Sequence, residues 1–153
     1  MTPSTPSELR VVLDTQILLR GAMAKSASLT AQIYDAWRDG HVLLLLSEPI
    51  LQEIEDVVGR LEVLQKLRFS PVETGALLLL LRRRAQLIVP TVTVRQSRDP
   101  ADDKFLECAL VGQAYYVVSA DGDLLSLAQV QDIPIVDVPT FWRVLQGCLS
   151  QTT

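Results

Sequence analysis

The sequence predicts an α/β fold: strands and helices alternate along the chain, and the sheet is mainly parallel and covered on both faces. Three observations predict it. Short apolar runs suited to strands recur at 10–13, 41–46, 115–118 and 134–136. Longer stretches with apolar residues at helical spacing separate them. Strands joined through helices make crossover connections, and those connections build parallel sheets.

Each element follows from its residues. Arg10 to Leu13 (RVVL) is a β-branched run that ends at Asp14, a residue placed to cap a following helix. Ser28 to Asp39 carries Leu29, Ile33, Ala36 and Trp37 at helical spacing, and Gly40 stops it. His41 to Leu46 (HVLLLL) is continuously apolar, as a strand buried on both faces is. In SEPILQEIEDVVGRL, residues Ile50, Leu51, Ile54, Val57, Val58 and Leu61 form one stripe, with Pro49 tolerated in the first turn. A second helical stretch is expected around Leu61 to Arg68, and Ser70-Pro71 opens another that runs through ETGALLLLLRRR. Leu87 to Val89 is a short apolar stretch, and Thr91 to Arg98 reads as extended or looped. Asp102 to Gly112 is a helix with Phe105, Leu106, Ala109 and Leu110 on one face and Gly112 as its stop. Tyr115 to Val118 is a strand, Leu124 to Ala128 a short helix, Pro134 to Val136 the last strand and Thr140 to Leu149 the last helix.

Composition narrows the function. The chain has 153 residues, 48% hydrophobic and 21% charged, with a net charge of −4. It is long enough to bury a core, and it carries no overall positive coat for nucleic acid. The longest apolar run, Ala76 to Leu81, is far short of the ~20 residues that span a bilayer. Residues 1–8 are expected to be a flexible lead, 9–149 the folded domain and 150–153 a tail. Cys108 and Cys148 lie in apolar helical contexts and are expected to be buried free thiols, which with the absence of a signal-like start points to the cytoplasm. With His41 the sole histidine, a metal site built on several histidines is excluded, so carboxylates would have to hold any metal.

Carboxylates do gather where an open α/β sheet places its function, just beyond the carboxyl ends of strands. Asp14 ends the first strand. The run YYVVSADGD brings Asp121 and Asp123 to the end of another. DPADD offers Asp99, Asp102 and Asp103 at the start of the helix before it, and Glu53 and Glu55 lie on the helix after the second strand. Each has a plainer reading too: Asp14 and Asp102 as helix caps, Asp-Gly-Asp as a turn, the glutamates as a solvated flank. Together they are a set whose mutual repulsion a hard divalent cation would relieve, with Asp121 and Asp123 flanking it. Mg²⁺ or Mn²⁺ in such a place suits phosphodiester cleavage.

In RVVLDTQILLRGA, LSEPILQEIEDVVGR and DPADDKFLECALVGQAYYVVSADGDLLSL the chain resembles the PIN domain family, and within it the VapC-like toxin components of toxin–antitoxin pairs. The resemblance covers about residues 9 to 146. It implies a three-layer PIN-like sandwich around a five-stranded parallel sheet and a Mg²⁺- or Mn²⁺-dependent endoribonuclease. By position it implies Asp14, Glu53, Asp102 and Asp121 as catalytic acids, with Asp14, Asp102, Asp121 and Asp123 on the metal. Ser119 takes the place of a supporting hydroxyl, and Asp103 that of a frequent Asn. Gln16 stands where the family usually has an Asn that braces the acids, a departure that bears on full activity. The resemblance also implies a homodimer and an antitoxin that blocks the acidic groove.

A single-stranded RNA substrate needs cations near that groove. Arg98 and Lys104 adjoin the third acidic motif and, with Arg20, are the expected RNA contacts. Arg82, Arg83 and Arg84 close a helix whose dipole they complement. Aromatic residues make up 5% of the chain and form no stacking platform; Tyr115 and Tyr116 read as core or strand residues. The alternative is a PIN-like module that binds RNA or protein with impaired catalysis, for which Gln16 is the main argument. A phosphoryl-transfer receiver domain also places acids at strand ends, but this chain lacks the paired acids expected at its start and the Lys expected after the last long strand.

Overall fold

The computed structural model of the chain describes residues 9–66 and 69–150. β1 (Leu9–Leu13) leads through Asp14 into α1 (Thr15–Met23) and then α2 (Leu29–Arg38), whose first turn is closed by the Ser28 hydroxyl accepting from the Ala31 N–H. Gly40, at φ +86°, turns the chain into β2 (Val42–Leu46). α3 (Glu48–Val63) starts on a Ser47 cap, and α4 (Pro71–Arg84) starts on a reciprocal Ser70–Glu73 capping box. There follow β3 (Gln86–Leu87), a 3-10 turn (Pro100–Asp102), α5 (Asp103–Gly112), β4 (Tyr116–Val118), α6 (Gly122–Leu125), β5 (Gln129–Val130), β6 (Ile133–Val136) and α7 (Val138–Ser150).

The strands form one sheet in the order β3-β2-β1-β4-β6-β5. The first five are mutually parallel; β5 pairs antiparallel with β6. β1 is central because its apolar residues are continuous: Val11, Val12 and Leu13 are all buried, as are Leu44, Leu45 and Leu46 of β2. Such strands require cover on both faces. α5 packs across β1, β2 and β4, while α2 packs on β2 and α7 on β4. β1 pairs with β4 from Val11–Tyr116 to Leu13–Val118, so these two strands end side by side. Asp14 then donates its N–H to the Val118 carbonyl at 3.0 Å.

The α/β class and the parallel five-stranded core agree with the sequence reading, and a sixth strand is added. β5 is two residues long, too short for any period. A tight hairpin makes it, with Ala128 and Gln131 at φ 66° and 50°. The helical stretch expected around Leu61 to Arg68 is not a separate helix: α3 runs on to Val63 and the chain then turns, with Gln65 at φ 56°. Residues 67 and 68 lie outside the described residues. Gly112 does not stop α5. It is the last helical residue, and Gln113 takes the left-handed conformation at φ 55°. Gly112 is required for space instead, since a Cβ there would stand 2.7 Å from Leu45 Cδ1 and 3.1 Å from Ile88.

Cys108 is buried, but Cys148 is exposed, in the last turn of α7 beyond its final buried residue Leu145. Tyr116 packs edge-on against Phe141, whereas Tyr115 lies outside β4, half-exposed beneath the Arg10 guanidinium. Among the described residues no helix is long and apolar enough to cross a membrane.

Candidate active site

Beyond the adjacent ends of β1 and β4 lies a cleft of 540 Å³. α1 supplies one side with Gln16, Leu19, Arg20 and Met23, and α3 the other with Glu53, Val57, Arg60 and Leu61. Asp14, Asp99, Asp102 and Asp121 line it too.

Asp14 has both roles that the sequence left open. Its Oδ1 accepts from the Ile17 N–H at 2.9 Å and so caps α1. Its Oδ2 accepts from the Ser119 hydroxyl at 2.6 Å and the Ala120 N–H at 3.2 Å. The same hydroxyl accepts from the Asp121 N–H at 2.9 Å. A fully buried Ser119 therefore ties the first acid to the loop that carries the fourth. Asp121 Oδ1 in turn accepts from the Asp123 N–H at 2.9 Å, the cap expected of an Asp-Gly-Asp turn.

Asp102 is not the helix cap it resembles. Asp99 caps the 3-10 turn, accepting from the Ala101 N–H at 3.0 Å, while the Asp102 side chain caps nothing. Its Oδ2 is buried and has no hydrogen-bond partner among the described residues. Burial above all, then a carboxyl–carboxyl hydrogen bond to Asp121 and the charges of Asp121 and Asp99, push Asp102 up to about 7, against a downward pull from Lys104.

Glu53, not Glu55, faces the cleft. Its Oε2 accepts from the Thr15 hydroxyl, and its Oε1 lies 2.5 Å from the Lys104 ammonium. Glu55 is drawn instead to Arg82 at 3.7 Å.

Other expected residues lie elsewhere. Asp103, one helical step of about 100° from Asp102, is buried and binds the Gln96 and Ser97 N–H groups at 3.2 and 2.8 Å. It braces the preceding loop. Asp123 is two helical steps from Asp121, and its nearest cation is the exposed Arg98 at 4.0 Å. Gln16 is exposed, and its Oε1 accepts from Arg20 at 3.5 Å rather than bracing an acid. Arg82 pairs with Glu48 at 3.0 Å, and Arg84 donates to the Arg38 carbonyl at 2.8 Å. Arg20 does reach the cleft.

Sequence reasoning missed Arg60 and Thr15. Spacing would have found the first, because Glu53, Val57 and Arg60 recur at i, i+4 and i+7 on one face of α3. Thr15 has only its place beside Asp14 to mark it.

The order of these parts along the chain is one acid after β1, one on α3, one before α5 and one after β4. A family model described as PIN domain matches residues 10–123, which take in all of them. The chain belongs to the PIN domain family. No curated protein sequence matches it.

PIN domains are generally metal-dependent nucleases, enzymes that hydrolyse phosphodiester bonds. In this PIN domain the donors offered to a cation are all carboxylate oxygens, the preference of a hard divalent ion. Among the described residues no group of three or more His, Cys, Asp or Glu is arranged to hold a metal ion as it stands. The facing pair Asp102 and Asp121, with one unpartnered buried oxygen and Asp14 in the same cleft, nonetheless fits an ion of this kind. Mg²⁺ binds through about one or two carboxylates and keeps waters or substrate phosphate oxygens for its other positions. A four-carboxylate cage that includes Asp123 is not assembled.

Proposed function

We propose that this PIN domain is an endoribonuclease that cleaves single-stranded RNA with Mg²⁺ or Mn²⁺ held by Asp102 and Asp121, with Asp14 beside them. The observation that carries the proposal is Asp102, whose buried Oδ2 has no partner among the described residues and whose carboxyl is pushed up to about 7 by burial first and then by the neighbouring Asp121. Such an arrangement is costly unless a cation or proton stands between the groups. When bound, the divalent ion supplies Lewis-acid activation of water and of the scissile phosphate.

The chain's own residues do the rest. Ser119 and the Ala120 N–H hold the Asp14 carboxyl in place, and the Asp121 N–H is fixed through the same hydroxyl. Arg20 on α1 and Arg60 on α3 stand on the two sides of the cleft, placed for the flanking phosphates of a single strand. Val57, Leu61, Leu19 and Met23 form an apolar strip between them that is suited to a base or ribose face.

A toxin role, a cognate antitoxin and a homodimer belong to the same reading and rest on the likeness to VapC-like proteins. The test is Mn²⁺-dependent cleavage of single-stranded RNA by the purified chain, beside Asp121→Asn. Cleavage by the wild type and loss in the variant, with an unchanged circular dichroism spectrum, is expected. Equal cleavage by both, or binding of RNA with no cleavage by either, would refute the assignment. The second outcome would favour a binding module.

A further inference from the structure

The strangest cation in the molecule is Lys104. It lies in the first turn of α5, where the helix dipole disfavours positive charge. Its side chain is only 16% exposed. The ammonium lies 2.5 Å from Glu53 Oε1 and also donates to the Ala101 carbonyl. The other Glu53 oxygen is taken by the Thr15 hydroxyl. Both oxygens of this cleft acid are therefore satisfied by the protein, one with a full positive charge. Asp102, in the same cleft, has a buried oxygen with no partner among the described residues. Of the five acids that line the cleft, Glu53 is the one paired with a cation among the described residues, while Asp102 keeps an open oxygen.

We propose that Lys104 is the built-in counter-cation of the cleft: it reserves Glu53 for the protein, keeps Glu53 out of the metal's coordination, and limits how tightly the open carboxylates take up a divalent ion. The inference rests on the reading of Asp102 and Asp121 as the metal site. It assigns Glu53 a different part from the ligating acids and makes Lys104 a positioning residue rather than an RNA contact. The lysine approaches Glu53 from α5 and is not itself among the cleft-lining residues. Two of the three N–H donors of this largely buried lysine are already engaged, by Glu53 and by the Ala101 carbonyl.

Charge and ligation are separated by the double variant of a double-mutant cycle. Lys104→Met removes the counter-cation and frees Glu53, so Mn²⁺ should bind about tenfold more tightly. Glu53→Gln leaves Lys104 unpaired and should weaken Mn²⁺ by a similar factor. The double variant, Lys104→Met with Glu53→Gln, restores the cleft's charge with no carboxylate at 53. It should bind Mn²⁺ within about threefold of the wild type.

The experiment is Mn²⁺ titration by calorimetry on the full chain and all three variants, with thermal melts in chelator. In chelator each single variant should melt below the wild type, because each strands a half-buried charge. Lys104→Gln, which keeps a donor for the Ala101 carbonyl, replaces Lys104→Met if the latter does not fold. A double variant that binds Mn²⁺ tenfold or more weakly than wild type would make Glu53 a ligand and overturn the proposal. So would weaker binding by Lys104→Met. A wild type that takes up no Mn²⁺ would sink the metal reading itself along with this inference, and is distinguishable because it appears before any substitution.

Discussion

Replacing Asp102 with Asn should make the metal-free protein more stable, and the gain should grow with pH. The folded carboxyl keeps its proton up to about 7, while an unfolded one, starting from 3.8, is already ionised well below that. Between those values the native state binds the extra proton, so stability falls as pH rises through the window and is flat above it. A move from 3.8 to about 7 corresponds to ~4 kcal/mol at about 1.36 kcal/mol per tenfold change in acidity. Asp102 is only half-buried, and solvent at the cleft screens it, leaving ~1–2 kcal/mol. Asparagine keeps the shape, removes the charge and can donate to Asp121. For a chain of this length the variant should melt about 3–6 °C above wild type at pH 8 in EDTA. At pH 5 the gain should be less than half of that. The assay is a pair of urea or thermal unfolding series at the two pH values. Saturating Mn²⁺ should reverse the order, since only the wild type gains from binding. An equal gain at both pH values, or a loss at pH 8, would show that neither burial nor Asp121 raises the Asp102 carboxyl.

Two further substitutions test the frame around the site. Ser119→Ala removes a buried hydroxyl that donates to Asp14 at 2.6 Å and accepts from the Asp121 N–H at 2.9 Å. It should cost roughly 2 kcal/mol, the scale of a hydrogen bond to a charged group, and lower metal affinity about 10–100-fold; urea denaturation and Mn²⁺ calorimetry read both, and an unaffected variant would deny the link. Glycine-to-alanine changes should differ in sign by position. Gly112→Ala drives a Cβ to 2.7 Å from Leu45 Cδ1 and should destabilise by about 1–2 kcal/mol net of its better helix propensity. Gly75→Ala in α4, with nothing within 4 Å of the added atom, should stabilise by about 0.5–1 kcal/mol. Melting curves that move both the same way would contradict the packing of α5 on the sheet.

Much of the fold was legible because its signals are local. Ser28, Ser47 and Ser70 each begin a helix where an N-cap residue precedes apolar residues at helical spacing, and each accepts from the backbone N–H three residues on. The strands VVL and LLLL, with no polar residue among them, announce burial on both faces. Less legible were elements shorter than a period, such as β5, and the end of α5, where the glycine that reads as a stop is there to let the helix approach Leu45 and Ile88. The acids were legible as a set but not as individuals. Periodicity left Glu53 and Glu55 equal; Asp102 could as well have been a cap, a role that Asp99 takes; and Asp103 and Asp123, which look like site residues in the string, point to other partners.

The sequence by itself determined the alternation of strand and helix and the chain positions at which acids stand, since both depend on neighbours a few residues apart. Only the tertiary structure decided which of those acids meet. Ser119 reaches Asp14 across 105 residues because β1 lies beside β4, and Lys104 reaches Glu53 because α5 and α3 pack together. A carboxylate's role is set by what lies within about 3 Å of its oxygens, and that distance is fixed by the order of strands in the sheet.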